Sequence, residues 1–318
     1  MTIPAHPPLL PYLRGLARDA LGMGAAAYLE REIPALGDPP PDALMATWLG
    51  TAGFLLDDGE TQLLIDPFVS CPSLPWVALN RPIQPDRAAI EHWVERLDAT
   101  RVAAVMVTHS HYDHAMDAPS FAQLCSAPLL GSSSTVKIGR GGGVPVHRLV
   151  RVEPRQVLRF GKFEVHFLPS VHGPSPVGGP PHAGHVTEPL VPPAHHADWR
   201  HGDTWVLWVR HPQGSFIHQA TADTLPDTLQ GVQAELSMSC LVWRRSTTDL
   251  LQRTVDAVGA TRLIPLHSDN MFRPPHAGFS PMPGVDLAGF FDDMARLRPD
   301  LRIDTLPLGE PRPLFTPR

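Results

Sequence analysis

Short apolar runs bounded by turn residues dominate the chain after residue 45. Three of them, at residues 46–49, 53–56 and 62–65, are separated only by short segments with glycine and acidic residues. Apolar runs of about four to eight residues between turn signals are typical of β-strands, so we expect a sheet to open here as a meander. Further strands are predicted by similar runs at residues 157–160, 163–168, 205–209 and 215–218.

A helical pattern follows the first three runs. Over residues 86–97, Ile90, Trp93 and Leu97 recur at helical spacing on one face, and Asp86 is placed to cap the first turn. The same spacing predicts helices at residues 247–258 and 287–297. Because strands and helices recur in mixed order along the chain, we expect an α/β fold.

One apolar run differs from the others because it has no polar face. Residues 102–107 are apolar throughout, as in a strand that is buried on both faces. Polar residues begin abruptly at Thr108. Ligand sites of sheet proteins commonly lie where such strands end, so function is expected directly after residue 107.

Two segments stand apart from this pattern. Residues 1–45 include an apolar stretch that Arg14, Arg18 and Asp19 interrupt well short of the ~18 residues of a membrane span, so a helical extension packed on the core is predicted. Residues 173–202 are rich in proline, glycine and histidine without a period, which predicts a lid-like insert. Residues 46–318, with this insert, are predicted to form one domain.

Composition narrows the class of protein. Hydrophobic residues make up 43% of the 318 residues and charged residues 18%, which is typical of a globular chain. The formal net charge is −6 and no run of lysine or arginine is present, so we expect no nucleic-acid partner. The widely spaced Cys71, Cys125 and Cys240 make no disulfide framework, which favours the cytoplasm, with a secreted or periplasmic location as the alternative.

The residues directly after the buried run carry the chemical signal. Residues 108–114 read Thr-His-Ser-His-Tyr-Asp-His. Alternate side chains of an extended segment point the same way, so His109 and His111 can share one metal ion. Asp113 and His114 lie in the following turn and can face a second ion with ligand types that Zn²⁺ accepts. A solvent-exposed histidine-rich turn is the alternative, and the position after a buried strand argues against it.

Residues 108–114 resemble the signature of the metallo-β-lactamase superfamily. Residues 47–53 (Thr-Trp-Leu-Gly-Thr-Ala-Gly) and 64–67 (Leu-Ile-Asp-Pro) are similar to the branch that contains ascorbate-6-phosphate lactonase and N-acylphosphatidylethanolamine phospholipase D. The resemblance covers roughly residues 46–269. It implies that the α/β fold is the four-layer αββα sandwich of the metallo-β-lactamases.

The resemblance implies three further metal ligands, each after a strand. His172 matches the family's third histidine and would complete the first ion's set, and His267 matches the last histidine and would complete the second ion's set. Asp223 matches the aspartate that bridges the two ions, although the family usually has glycine where Ala222 stands.

The implied activity is that of a metal-dependent hydrolase. Two divalent ions, Zn²⁺ first and Mn²⁺ or Fe²⁺ as alternatives, would activate a water as hydroxide and polarise the bond it attacks, with Asp113 or Asp223 orienting the water and taking up its proton. The expected substrate is a small-molecule or lipid-like ester, whether lactone, carboxylic ester or phosphoester. An iron-dependent oxidoreductase or a non-catalytic binding protein of the same fold are the alternatives. Serine catalysis is disfavoured because the chain has no Gly-x-Ser-x-Gly elbow.

Four more residues are candidates for the surroundings of the metal site. Asp66 is a candidate partner that orients a metal ligand, although a strand-ending aspartate in a turn explains it almost as well. Phe68, Trp76 and Trp199 are candidates for apolar pocket walls, although aromatic side chains more often simply pack in the core.

Overall fold

The computed structural model describes residues 9–37, 40, 43–247 and 249–315. The strands are β1 (Met45–Gly50), β2 (Gly53–Asp57), β3 (Gln62–Ile65), β4 (Val102–Met106), β5 (Leu129–Gly131), β6 (Leu149–Arg151), β7 (Val157–Phe160), β8 (Phe163–Ser170), β9 (Thr204–His211), β10 (Gly214–Gln219), β11 (Leu236–Cys240), β12 (Arg262–Leu266), β13 (Arg302–Ile303) and β14 (Pro311–Pro313). The α-helices are α1 (Leu9–Ala20), α2 (Met23–Leu29), α3 (Leu74–Ala78), α4 (Arg87–Arg96), α5 (Tyr112–Ala115), α6 (Ala118–Leu124), α7 (Ser133–Gly141), α8 (Leu250–Thr254) and α9 (Leu287–Leu297).

Elements with an unambiguous period agree with the sequence predictions. The bounds of β3, β7 and α9 are those predicted, and the Asp86 carboxylate caps α4 by accepting a hydrogen bond from the Ala89 amide. The helix predicted over residues 247–258 is wrong in length, because Asp249 has a left-handed backbone (φ 56°) and α8 begins only after it. Within the described ranges no helix has the length and apolar character needed to cross a bilayer.

The strands form two mixed sheets, and each sheet has an antiparallel part and a parallel part. The first sheet has the order β14-β1-β2-β3-β4-β5-β6, antiparallel up to β3 and parallel from there to β6. The second has the order β13-β12-β11-β10-β9-β8-β7, parallel from β13 to β10 and antiparallel from there to β7. Parallel neighbours need crossover connections, and α3 and α4 lie in the connection between β3 and β4.

The core is layered because successive side chains of a strand point to opposite faces. On β2 and β3, Phe54 and Ile65 pack with Phe167 and Leu207 of the second sheet. Their neighbours, such as Leu64, pack instead in a second cluster with the apolar faces of α4 and α6. Helices α8 and α9 lie against β11 and β12 on the far side of the second sheet. The layers therefore run helix, sheet, sheet, helix.

The N-terminal helices pack against α9. The Asp19 carboxylate at the end of α1 accepts hydrogen bonds from the Leu287 and Ala288 amides, at 2.7 and 2.9 Å, in the first turn of α9. The buried Tyr28 hydroxyl of α2 donates to the Leu306 carbonyl at 3.0 Å, and its ring stacks on Phe279. Residues 1–8, 38–39, 41–42, 248 and 316–318 lie outside the described residues, and the division between an extension and a domain at residue 45 stays a prediction.

Candidate metal centre

Four chain segments bring the candidate ligands to one edge of the two sheets. His109 and His111 lie in the loop after β4, and Asp113 and His114 lie in the one-turn helix α5 that follows. His172 comes two residues after β8. His267 follows β12 with a left-handed backbone (φ 53°), and its amide donates to the Thr51 carbonyl of the first sheet at 2.8 Å.

The side chains form two adjacent groups of ligand atoms. His109, His111 and His172 make one group, and Asp113, His114 and His267 make the other. Within each group the nitrogen and oxygen atoms lie within 4.8 Å of one another. The two groups touch, because the ring centroids of His109 and His114 are 4.0 Å apart. The structure thus brings six of the predicted ligands together in a largely buried cluster.

Backbone carbonyls fix the tautomers of two imidazoles in the first group. His111 donates through Nε2 to the Pro181 carbonyl at 3.0 Å, and His172 donates through Nδ1 to the Gly173 carbonyl at 2.8 Å. A carbonyl oxygen only accepts, so the ring proton lies on the nitrogen that faces it. The opposite nitrogen, Nδ1 of His111 and Nε2 of His172, then keeps its lone pair for a metal ion.

Asp66 orients the neighbouring imidazoles from behind. Its fully buried carboxylate accepts from His114 Nδ1 at 2.9 Å, from the Thr108 amide at 2.7 Å and from the Thr108 hydroxyl at 2.5 Å. Because the Thr108 hydroxyl gives its proton to Asp66, its oxygen accepts from His109 Nδ1 at 3.3 Å. Nε2 of both His109 and His114 is therefore left for a metal ion, which fits the role predicted for Asp66.

The second group combines one carboxylate with two imidazoles. Asp113 Oδ2 lies 2.9 Å from Nε2 of His267 and 3.5 Å from Nε2 of His114. Nδ1 of His267 is buried without a hydrogen-bond partner among the described residues. Imidazole nitrogens and a carboxylate are ligands that Zn²⁺ accepts, and the residues present therefore fit a metal ion in each group.

Burial sets the charge state of the first group. It lowers the pKa of His109 and of His111 well below the usual value, and it lowers the pKa of His172 to about 4. These three rings are neutral near pH 7, which is the form that binds metal. In the second group burial opposes protonation of His114, but the charges of Asp113 and Asp66 outweigh it and raise the pKa of His114 to about 10. A metal ion at Nε2 of His114 would therefore displace a proton. Burial likewise opposes ionisation of Asp113, and His114 and His267 still hold its pKa well below the usual value.

A cavity of about 230 Å³ opens onto both ligand groups. Its walls are mainly apolar, formed by Val77, Tyr112, Val242, Trp243, Met271, Phe272 and Met282. Pro181, His182 and His196 of the 173–202 segment complete the lining. This segment is anchored to the ligand loop, because the Ser110 amide donates to the His201 carbonyl at 2.7 Å. The segment thus lies beside the candidate ligands, and its role as a lid stays a prediction.

Asp223 is placed apart from the other six predicted ligands. Its Oδ1 pairs with Arg253 Nη1 at 2.8 Å and accepts from the Thr224 amide at 2.7 Å. The turn after β10 presents residues 220–222 to the cavity and directs the Asp223 side chain toward α8. The structure therefore does not place a carboxylate of Asp223 between the two groups.

The three aromatic residues predicted as pocket walls lie elsewhere. Phe68 is buried edge-on against Tyr112, and Trp199 is buried in the core between the first sheet and its helices. Trp76 points outward with 51% of its surface exposed. None of the three lines the cavity.

Sequence reasoning missed the residues that do form the walls. Tyr112 lies inside the ligand motif itself. Trp243 follows the end of β11, and Met271 and Phe272 follow His267 at the end of β12. Parallel strands end at a common edge, so the residues just past β11 and β12 carried a positional signal.

Comparisons with known proteins agree with this geometry. A family model described as Beta-lactamase superfamily domain matches residues 61–268. A UPF0173 metal-dependent hydrolase of Heliobacterium modesticaldum is 30% identical over 136 residues, which cover 43% of this chain and 48% of that protein. The chain spans about half the length of the curated relatives it matches.

Two solved structures share the fold. Isothiocyanate hydrolase from Delia radicum gut bacteria has 17% identity and a TM-score of 0.52, over 86% of this chain and 100% of that one. The metallo-beta-lactamase fold protein YhfI from Bacillus subtilis has 16% identity and a TM-score of 0.50, over 85% and 98%. The predicted αββα sandwich of the metallo-β-lactamase fold is confirmed. Since the family model matches more than half of the 318 residues, the chain belongs to the β-lactamase superfamily.

Proposed function

We propose that the chain is a metal-dependent hydrolase that holds two divalent ions and cleaves an ester-type bond. The observation that carries the proposal is the pair of adjacent ligand groups at one end of a cavity. Zn²⁺ suits their imidazole and carboxylate donors, and Mn²⁺ and Fe²⁺ accept the same ligand types. When bound, such ions would supply a water of lowered pKa and would polarise the bond to be cleaved.

Asp113 is the carboxylate that we assign to the attacking water. It lines the cavity, whereas Asp223, the other candidate, is paired with Arg253. An ionised carboxylate accepts hydrogen bonds, so Asp113 orients a water through one of its hydrogens and takes up a proton at the carboxylate. Asp66 acts indirectly. It holds His114 in the orientation that leaves Nε2 of His114 free.

The 173–202 insert is assigned the role of a lid. It contributes His182 and His196 to the cavity lining and holds His111 through the Pro181 carbonyl. A covered site excludes bulk water, which strengthens the electrostatic interactions inside it. The substrate proposed is a small-molecule or lipid-like ester.

The relatives give independent support to the proposed chemistry. Several are metal-dependent hydrolases by name.

The location that we propose is the cytoplasm. The described cysteines of this chain are all free, which agrees with a reducing compartment.

Elemental analysis and a substrate panel test the proposal together. Protein reconstituted with Zn²⁺ is expected to hold about two ions per chain. It should hydrolyse members of a panel of lactones, aryl esters and phosphoesters, and activity should stop on chelation and return with metal. Iron in the protein as purified, together with a lack of hydrolysis, would favour the oxidoreductase. Failure to bind metal after reconstitution would overturn the proposal.

A matched pair of variants sharpens this test. His111→Ala should lose the first ion and the hydrolysis. His147→Ala removes an exposed imidazole outside the cavity lining and should keep both.

A further inference from the structure

The cavity over the ligand groups has walls that suit an uncharged substrate. Apart from the ligand groups, its lining is made mostly of aliphatic, aromatic and methionine side chains. Among the residues that the structure describes, no lysine or arginine lines it. The polar side chains that the 173–202 insert adds are the His182 and His196 rings, whose centroids lie 5.0 Å apart. The walls therefore offer no fixed positive charge.

Two arginines that come after the lining residue Trp243 in sequence are paired outside the cavity. Arg244 pairs with Asp286 and Asp293, and it lines a separate cavity beside α9. Arg253 pairs with Asp223. Neither arginine therefore places its charge in the cavity.

The volume of the cavity also restricts the substrate. About 230 Å³ is below the ~300–1,000 Å³ typical of sites for drug-sized ligands. A charged group on the acyl chain, away from the ligand groups, would lie against apolar side chains without an arginine or lysine partner among the described lining residues. Burying a charge without a partner is strongly unfavourable.

From these observations we propose that the substrate is a small carboxylic ester or lactone whose acyl chain is apolar and uncharged. This inference rests on the proposed hydrolase function. In the reaction the water oxygen bonds to the acyl carbon, the acyl carbon–oxygen bond breaks, and the leaving oxygen takes up a proton. The products are a carboxylate and an alcohol, or one hydroxy acid from a lactone.

A pair of esters that differ only in charge tests the inference. Para-nitrophenyl valerate and the para-nitrophenyl ester of γ-sulfobutyric acid share the bond and the leaving group, and a sulfonate replaces the terminal methyl group. With kcat/KM normalised to the hydroxide-catalysed rate, the zinc-loaded protein should prefer the valerate at least ~10-fold. Equal or faster metal-dependent turnover of the sulfonated ester would overturn the inference while leaving the hydrolase in place.

Binding gives a readout that does not depend on turnover. The para-nitroanilides of the same two acids can be titrated into the zinc-loaded protein by calorimetry, with nitroaniline release monitored to exclude cleavage. The valeric anilide should bind at least ~10-fold more tightly. Failure to hydrolyse any ester or lactone in a metal-dependent way would instead overturn the proposed function.

Two substitutions in the same helical segment provide a matched control. Val77 is 9% exposed and lines the cavity, whereas Leu79, two residues on, is 70% exposed and does not. Val77→Arg should reduce the preference for the uncharged ester about tenfold, and Leu79→Arg should leave it unchanged. An equal effect of both variants would contradict a role for the cavity wall. Should Val77→Arg fail to fold, the substrate pair on the unmodified protein still decides.

Discussion

His111 donates a hydrogen bond of 3.0 Å from its Nε2 atom to the carbonyl oxygen of Pro181, which joins a candidate metal ligand to the 173–202 insert. The bond fixes the ring proton on Nε2 and leaves Nδ1 facing the first group. Loss of a group that orients a ligand in this way typically costs about 10- to 100-fold in metal affinity or activity. The insert is therefore coupled to the metal site as well as to the cavity.

Replacing residues 174–181 by a short glycine-serine linker is expected to weaken binding of the first ion about 10- to 100-fold, because His111 loses the acceptor that fixes its tautomer. Competition with a chromogenic chelator measures this affinity. Val177→Ser, which changes an exposed side chain of the same segment, serves as the control. An unchanged affinity with an altered substrate range would mean that the insert is a lid only.

Asp66→Asn should lower the affinity for the second ion by about 10- to 100-fold. The amide keeps the shape of the side chain but removes the negative charge that His114 Nδ1 and Thr108 face. Zinc titration of the metal-free protein gives the affinity, and Asp98→Asn, at an exposed aspartate, is the control. Equal affinities in the two variants would show that Asp66 is only the end of a strand.

The candidate ligands that could be located from the sequence share one property, which is that backbone position alone places them. His109 and His111 directly follow the apolar run that becomes β4, and His172 and His267 each follow another such run. These residues meet at one edge of the sheets because the strands that precede them all end at that edge. Asp223 follows a strand in the same way, yet its side chain turns to Arg253, thirty residues later in the chain. The direction of the Asp223 side chain depends on its tertiary contact with Arg253, which the sequence around Asp223 does not reveal.

The cavity walls show the same limit for apolar residues. Phe68 and Trp199 have the size and hydrophobicity of wall residues, but both are fully buried in the core beside the first sheet. Trp243 and Phe272 face the cavity because the neighbouring parallel strands β11 and β12 end at the same edge of the sheet. Hydrophobicity predicts that a residue is buried. Only the strand order decides whether the residue lies in the core or in the cavity wall.

Asp223→Asn is expected to leave two ions bound, because Asp223 pairs with Arg253 and lies outside both ligand groups. The cost in stability should be small, about 0–1 kcal/mol, since both partners are partly exposed. Asp113→Asn should lose the second ion and the hydrolysis. Elemental analysis of both variants distinguishes the two aspartates, and loss of an ion from Asp223→Asn would show that its side chain turns into the centre when metal binds.

The pH dependence of stability should report Asp117, a buried carboxylate that ties the loop after β3 to α6. It accepts hydrogen bonds from the Val69 amide at 2.8 Å, the Ser70 amide at 2.9 Å and the Ser70 hydroxyl at 2.6 Å. Burial outweighs these bonds and raises its pKa to about 6. Between an ordinary aspartate value of about 4 and pH 6, the folded chain therefore holds a proton that the unfolded chain has released.

Stability from this group must then fall as pH rises through that window, by at most about 3 kcal/mol for a shift of about two units, and stay level above it. Urea unfolding of the metal-free protein and of Asp117→Asn from about pH 4 to about pH 7.5 isolates this contribution, because the other carboxylates are common to both proteins. The free energy of unfolding of the native chain, relative to the variant, should decrease up to about pH 6. A relative stability that is flat or that increases with pH would mean that Asp117 is already ionised in the fold and that its three hydrogen bonds, not its burial, set its pKa.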